Sequence, residues 1–267
     1  MICVNRLAWL HLAAALVLVA GLGCVTTESP ELRKPDPVEQ ARKQADAKYN
    51  LGIDHLKNGR TALAVRELRS ALELEPQDPW AHFAIAEAYR RQGRTDDAIF
   101  HLERAMELKP AFHSARLNLS GVYIQRNEYE AAASHAQILL DDPTFAKQWS
   151  ALNNLGWSQY RLGRTQEARA NLELAGEYND HYWPALLNLG ILEASEGRRL
   201  EALGLFQRVI DLGPGPLALA EAHYRSAEIF LAIGQQEKAV RHLVAAAESK
   251  PNGKWGEKSE EYLKLLR

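Results

Sequence analysis

The side chains best suited to metal or nucleophilic chemistry are nine histidines and two cysteines, and their spacing offers little of either. The histidines are His11, His55, His82, His101, His113, His135, His181, His223 and His242. No two stand four apart, so no single helix presents a paired metal ligand. Cys3 and Cys24 both lie near the amino end, so the rest of the chain has no thiol for disulfide, zinc or redox chemistry. There is no Gly-rich phosphate loop and no G-x-S-x-G. Asp141-Asp142-Pro143 reads as a turn rather than a cation site. With 32 basic and 34 acidic residues, nothing suggests a nucleic-acid polyanion as partner. The expectation is a chain without catalytic residue, metal, cofactor or small-molecule substrate, whose function lies in its surfaces.

Those surfaces must be positioned by helices. From Pro79 to Phe112 the sequence reads as a helical hairpin. Asp78 is a candidate N-cap, and Pro79 fits a first helical position, where its missing N–H costs nothing. Ala81, Ile85, Ala88 and Tyr89 follow at helical spacing until Gly93, which can adopt the left-handed conformation that ends a helix. Thr95 is expected to cap a second helix with Ala98, Leu102, Ala105 and Leu108 on its inner face, stopped by Pro110.

The unit recurs, with starts at 45, 79, 113, 149, 183 and 220. The eighth position is always small: Gly52, Ala86, Ser120, Gly156, Gly190 and Ala227. The fifteenth tolerates a left-handed backbone: Gly59, Gly93, Asn127, Gly163, Gly197 and Gly234. The twentieth is Ala64, Ala98, Ala132, Ala168, Ala202 and Ala239, as expected where two helices touch. The two irregular steps fall at Asp141 to Gln148 and Gly213 to Pro216, read as short loop insertions. This spacing is that of the tetratricopeptide pattern. The predicted fold is all-α: a right-handed α-solenoid of six tetratricopeptide repeats over 37–253, plus a C-terminal capping helix over 254–267 that covers the face the sixth repeat would otherwise expose.

Residues 1–23 are expected to be a signal peptide. Arg6 sits in the head, and the apolar run Leu12 to Leu22 is short for a membrane span but suits a signal. Small residues and then Cys24 resemble a bacterial lipobox, in which the signal is cut before a cysteine that then carries lipid. Gly23 fits the last position before the cysteine; Gly21 stands where Leu is usual, with Leu22 one place late. An ordinary cleaved signal and an uncleaved anchor remain alternatives. Val25 after the cysteine is not the Asp that resembles an inner-membrane retention signal, which by analogy places the protein on the periplasmic face of the outer membrane, lipid-anchored. Residues 24–36 then form the lipidated cysteine and a polar, flexible tether. Asp36 caps the first long helix, with Pro37 in its first turn and Glu39 able to reach back in a capping box.

In such a stack the first helices of the repeats line an inner wall, at positions five, nine and twelve. These include Tyr49, Ile53, Leu56, Phe83, Leu117, Ile124, Trp157, Tyr160, Leu187 and Ile191. A wall of aromatic and aliphatic side chains suits a protein partner, an amphipathic helix or an apolar strand. The same side chains could instead pack between neighbouring helices. The stripe Tyr49, Ile53 and Leu56 in the first repeat is the favoured contact.

A signal, a lipobox-like cysteine, a polar tether and six repeats resemble the type IV pilus biogenesis lipoproteins called pilotins, the PilF/PilW/Tgl family. The likeness includes K-Y-N-L-G-I-D-H-L-K-N-G (Lys48 to Gly59), D-P-T-F (Asp142 to Phe145), A-L-N-N-L-G-W (Ala151 to Trp157) and Y-R-L-G-R from Tyr160. The resemblance implies a non-catalytic outer-membrane lipoprotein that binds subunits of the pilus secretin and promotes their targeting and multimer assembly, as pilus-driven motility requires. It implies an apolar groove in the early repeats, with Tyr49, Ile53, Leu56 and Phe83 as counterparts. The alternative is a general periplasmic scaffold for another cell-envelope complex.

Overall fold

The computed structural model describes residues 36–266. The signal, Cys24 and most of the tether lie outside the described residues. Among the described residues there are thirteen helices: α1 (Pro37–Lys57), α2 (Thr61–Leu74), α3 (Pro79–Arg91), α4 (Thr95–Leu108), α5 (His113–Gln125), α6 (Tyr129–Leu140), α7 (Gln148–Arg161), α8 (Thr165–Tyr178), α9 (Trp183–Ser195), α10 (Arg199–Leu212), α11 (Pro216–Ala232), α12 (Gln236–Ser249) and α13 (Lys254–Leu265). None of them is long and apolar enough to cross a membrane. Each helix packs on the next, and odd-numbered helices also touch odd neighbours: α1 with α3, α5 with α7, α7 with α9, and α9 with α11. The result is an all-α solenoid of six hairpins, α1/α2 to α11/α12, closed by α13.

Local chemistry explains the breaks. Gly59, Gly93, Gly163, Gly197 and Gly234 all have φ between 72° and 80°, and Asn127 has φ 61°. That geometry is cheap for glycine and tolerable for asparagine. It lets Arg94 N–H reach back to the Tyr89 carbonyl at 3.0 Å, with Thr95 N–H on Gly93 at 3.0 Å. The turn therefore satisfies the first donors with backbone, and α4 starts with Arg94 at the cap position and no side-chain cap. Thr95 is the first helical residue, not the cap expected from sequence. Asp78 does cap α3, accepting from Trp80 N–H at 2.8 Å. Asp36 likewise accepts from Val38 N–H at 3.0 Å. Glu39 turns to Lys43 at 2.6 Å in place of the expected capping box.

The hairpins close by matching volumes. The six alanines at position twenty are all fully buried, with no exposed surface. A Cβ on Gly52 would lie 2.6 Å from Leu68 Cγ, and one on Gly156 would lie 2.9 Å from Leu172 Cγ. In the third repeat, Ser120 spends its hydroxyl on the Ala132 carbonyl at 2.9 Å, so a buried polar group is paired within the hairpin.

The two irregular steps differ. Between α6 and α7, Asp142 accepts from Thr144 N–H at 2.8 Å, from the Thr144 hydroxyl at 2.7 Å and from His113 Nε2 at 2.8 Å. These bonds hold its carboxyl well below the usual range, at about 2. The loop then drops Phe145 into a pocket with Leu139 and Ala151. At the second step only 213–215 form a loop. Pro216 starts α11, so the extra residues lengthen a helix.

Candidate functional site: the inner wall

The odd-numbered helices touch one another and so form the tighter side of the stack. All ten wall positions read from the sequence lie on them. Leu56 and Leu187 are buried, each 6% exposed. The other eight, Tyr49, Ile53, Phe83, Leu117, Ile124, Trp157, Tyr160 and Ile191, are half-buried. The wall therefore offers edges and faces of packed side chains rather than free-standing ones.

At the amino end Tyr49, Ile53 and Phe83 pack on a core cluster that contains Leu56, Ile85 and Phe112. The Phe83 and Phe112 rings are 5.0 Å apart. Burial, then the charge of Asp78, raises the Tyr49 phenol above its ordinary pKa. Leu117 packs against Leu139, Phe145 and Ala151.

Two hollows lie toward the carboxyl end. One, about 380 Å³, is lined by Trp183, Leu187, Pro216, Leu217, Ala218 and Lys250. The other, about 330 Å³, is lined by Tyr160, Ile191, Phe206, Arg225, Glu228 and Ile229. Leu187 and Ile191, one helical turn apart, thus line adjacent depressions. Trp157 and Tyr160 stack obliquely with centroids 5.5 Å apart, and Arg161 lies 5.8 Å from the Trp157 ring. Apolar floors with an Arg225–Glu221 pair at 3.1 Å beside them can hold a polypeptide's side chains and fix its direction.

At the sixth repeat the wall is already occupied. Tyr224 is buried beneath Trp255 and Tyr262 of α13, with ring centroids at 5.0 and 6.2 Å. That burial pushes its phenol up to about 12.

Two arrangements escaped the sequence reading. A polar chain crosses the wall: Asn188 Nδ2 donates to Asn153 Oδ1 at 2.8 Å, and Asn154 Nδ2 donates to Ser120 Oγ at 3.3 Å. Polar pairs also join the two helices of a hairpin at residues nineteen apart: Lys48 with Glu67 at 2.8 Å, His82 with His101 at 2.8 Å, Arg116 with His135 at 3.4 Å, and His223 with His242 at 3.1 Å. The signal was present as a recurring separation, but a search along single helices does not meet it.

Family models described as tetratricopeptide repeat match residues 49–111, 153–216 and 90–155. The chain belongs to the tetratricopeptide repeat family. It is similar to the type IV pilus assembly protein PilF of Pseudomonas aeruginosa, with 27% identity over 163 residues, 60% of this chain and 64% of that one. The match thus spans a little under two thirds of that relative. Among solved structures, one described as a functional characterisation of Pseudomonas aeruginosa pilF superposes with a TM-score of 0.64 at 18% identity, covering 85% of this chain and all of that one. PilW, a type IV pilus biogenesis factor, gives 0.68 at 19% identity, covering 80% and 97%. These superpositions establish a shared tetratricopeptide fold.

Proposed function

We propose that this protein is a non-catalytic assembly factor of type IV pilus biogenesis, and that its inner wall receives a segment of the pilus secretin. The observation that carries this reading is the pair of apolar-floored hollows around Leu187 and Ile191, on a chain similar to PilF. A wall with half-buried aromatics and few free charges suits an amphipathic helix or extended strand better than an acidic peptide tail. Cys24 would carry lipid and hold the wall at the periplasmic face of the outer membrane. At about 0.8 kcal/mol per buried CH₂, several acyl chains on one cysteine anchor a protein firmly.

Deleting the gene tests the role. Secretin should remain detectable while its heat-resistant multimers disappear, and a Cys24→Ser chain should restore them poorly. Normal multimers in the deletion strain would reject this function. Recovery of a different envelope complex in a pull-down, with pili intact, would favour the general scaffold.

A further inference from the structure

Away from the wall, the first two hairpins expose an apolar corner at the end where the chain enters the fold. Val38, in the first turn of α1, is 75% exposed, and Trp80, in the first turn of α3, is 47% exposed. Leu74 and Pro76 are also exposed, where α2 leads into α3. Arg42, one turn after Val38, reaches Glu75 at 3.9 Å, which places the start of α1 beside that connection. The Trp80 ring stands edge-on to Phe112 at 4.5 Å, and Lys109 Nζ lies 4.4 Å from its centroid. Part of the indole is therefore held by the protein while the rest faces out. The carboxylates flanking Val38 and Trp80 are engaged: Glu39 with Lys43 at 2.6 Å, Glu75 with Arg42, and Asp36 and Asp78 in the caps of α1 and α3. The opposite ends of the same hairpins, 57–61 and 91–95, expose no large apolar side chain.

We propose that this corner seats in the headgroup layer of a phospholipid bilayer, with the Trp80 indole at the acyl boundary. Tryptophan suits that boundary because its ring is apolar and its N–H is a donor. A lysine beside it can keep its stem on the ring and its ammonium among phosphates. What selects a bilayer over a protein as occupant is the chain itself. Eleven residues separate Cys24 from Asp36, a reach of about 40 Å at full extension, and they join the fold at this corner. A lipid on Cys24, or an uncleaved apolar run from Leu12 to Leu22, brings the bilayer to the same place. The 21 residues of α1 span about 30 Å, so the turn at its far end stands off the surface. The inference rests on the proposed membrane attachment of the amino end and is independent of what the inner wall binds.

The test uses the full chain, purified from membranes in detergent and reconstituted into vesicles of phosphatidylethanolamine and phosphatidylglycerol. Flotation with the vesicles reports attachment. Quenching of tryptophan fluorescence, by lipids brominated near the headgroup end of the acyl chain, reports the corner. A Trp9→Phe background removes the one indole that precedes the fold. The chain should float, brominated lipid should quench it, and Trp80→Phe should remove most of that quenching. Trp157→Phe, which removes an indole from the wall, should leave the quenching unchanged. Trp80 is exposed and phenylalanine keeps an aromatic contact with Phe112, so the variant should fold. A chain that floats while Trp80→Phe leaves the quenching unaltered, or that floats without quenching, overturns this proposal alone. A chain that does not float overturns the membrane attachment as well.

Discussion

Gly190 of α9 and Phe206 of α10 share one space: a Cβ on residue 190 would lie 2.6 Å from Phe206 Cε1. Phe206 is fully buried, with no exposed surface of its own. The largest side chain at the hairpin interface is admitted because its partner has none.

Gly190→Ala should therefore destabilise the protein by about 1–2 kcal/mol, overpacking outweighing the better helix propensity of alanine. Gly204, on the exposed surface of α10, is the control, since a methyl group there would meet nothing within 4 Å. Gly204→Ala should stabilise by about 0.5–1 kcal/mol. Thermal unfolding of the two variants checks the sign, which must differ.

The fold was legible because each repeat obeys the same steric constraints. Small residues stand where helices touch, and a residue tolerant of positive φ stands where the chain reverses. Asn127 at φ 61° obeys the rule although it is not glycine. The helix starts were less legible. A threonine after a left-handed turn looks like a cap, yet the turn's backbone bonds already satisfy the donors it would serve. The wall was legible as a set of positions but not as a surface. Whether Tyr49 is open or packed depends on Phe83 and Asp78, which only the stacking of repeats brings near.

That stacking changes what wall substitutions should do. Tyr49→Ser and Ile53→Ser remove side chains packed on the amino-end cluster and should lower stability by about 1–2 kcal/mol each. Trp157→Ala and Tyr160→Ala lie nearer the hollows and should weaken partner capture by about 30-fold if they are anchors. Unfolding curves measured beside partner titrations separate the two ends. Equal binding loss at both ends, without loss of stability at the amino end, would contradict the packing described for Tyr49 and Ile53.

Trp255 joins the last hairpin to its cap. It is 7% exposed and stacks with Tyr224, and the Arg225 guanidinium lies 4.9 Å from its ring. Trp255→Ala should cost about 3–5 kcal/mol and release α13 from α11 and α12. Hydrogen exchange should show new opening in 216–265, with 61–108 unaffected, since repeats couple chiefly to their neighbours.

Acid should loosen the hairpins through their half-buried histidines. Desolvation lowers the pKa of His135, His223 and His242, and His242, also opposed by His223, falls to about 4. Arg116 donates toward His135 Nδ1 at 3.4 Å, a contact that requires the neutral ring. In the unfolded chain these rings take up protons near pH 6.5, before the folded protein does. The unfolded state thus binds more protons, and stability rises with pH across this window. It should be fully present above about pH 7, decline as pH falls through 6.5, and flatten only below about 4. The melting temperature should drop between pH 7.5 and 5, and His242→Gln should reduce the slope. A melting temperature independent of pH over that range would mean these rings are hydrated in the folded protein, contrary to their placement between paired helices.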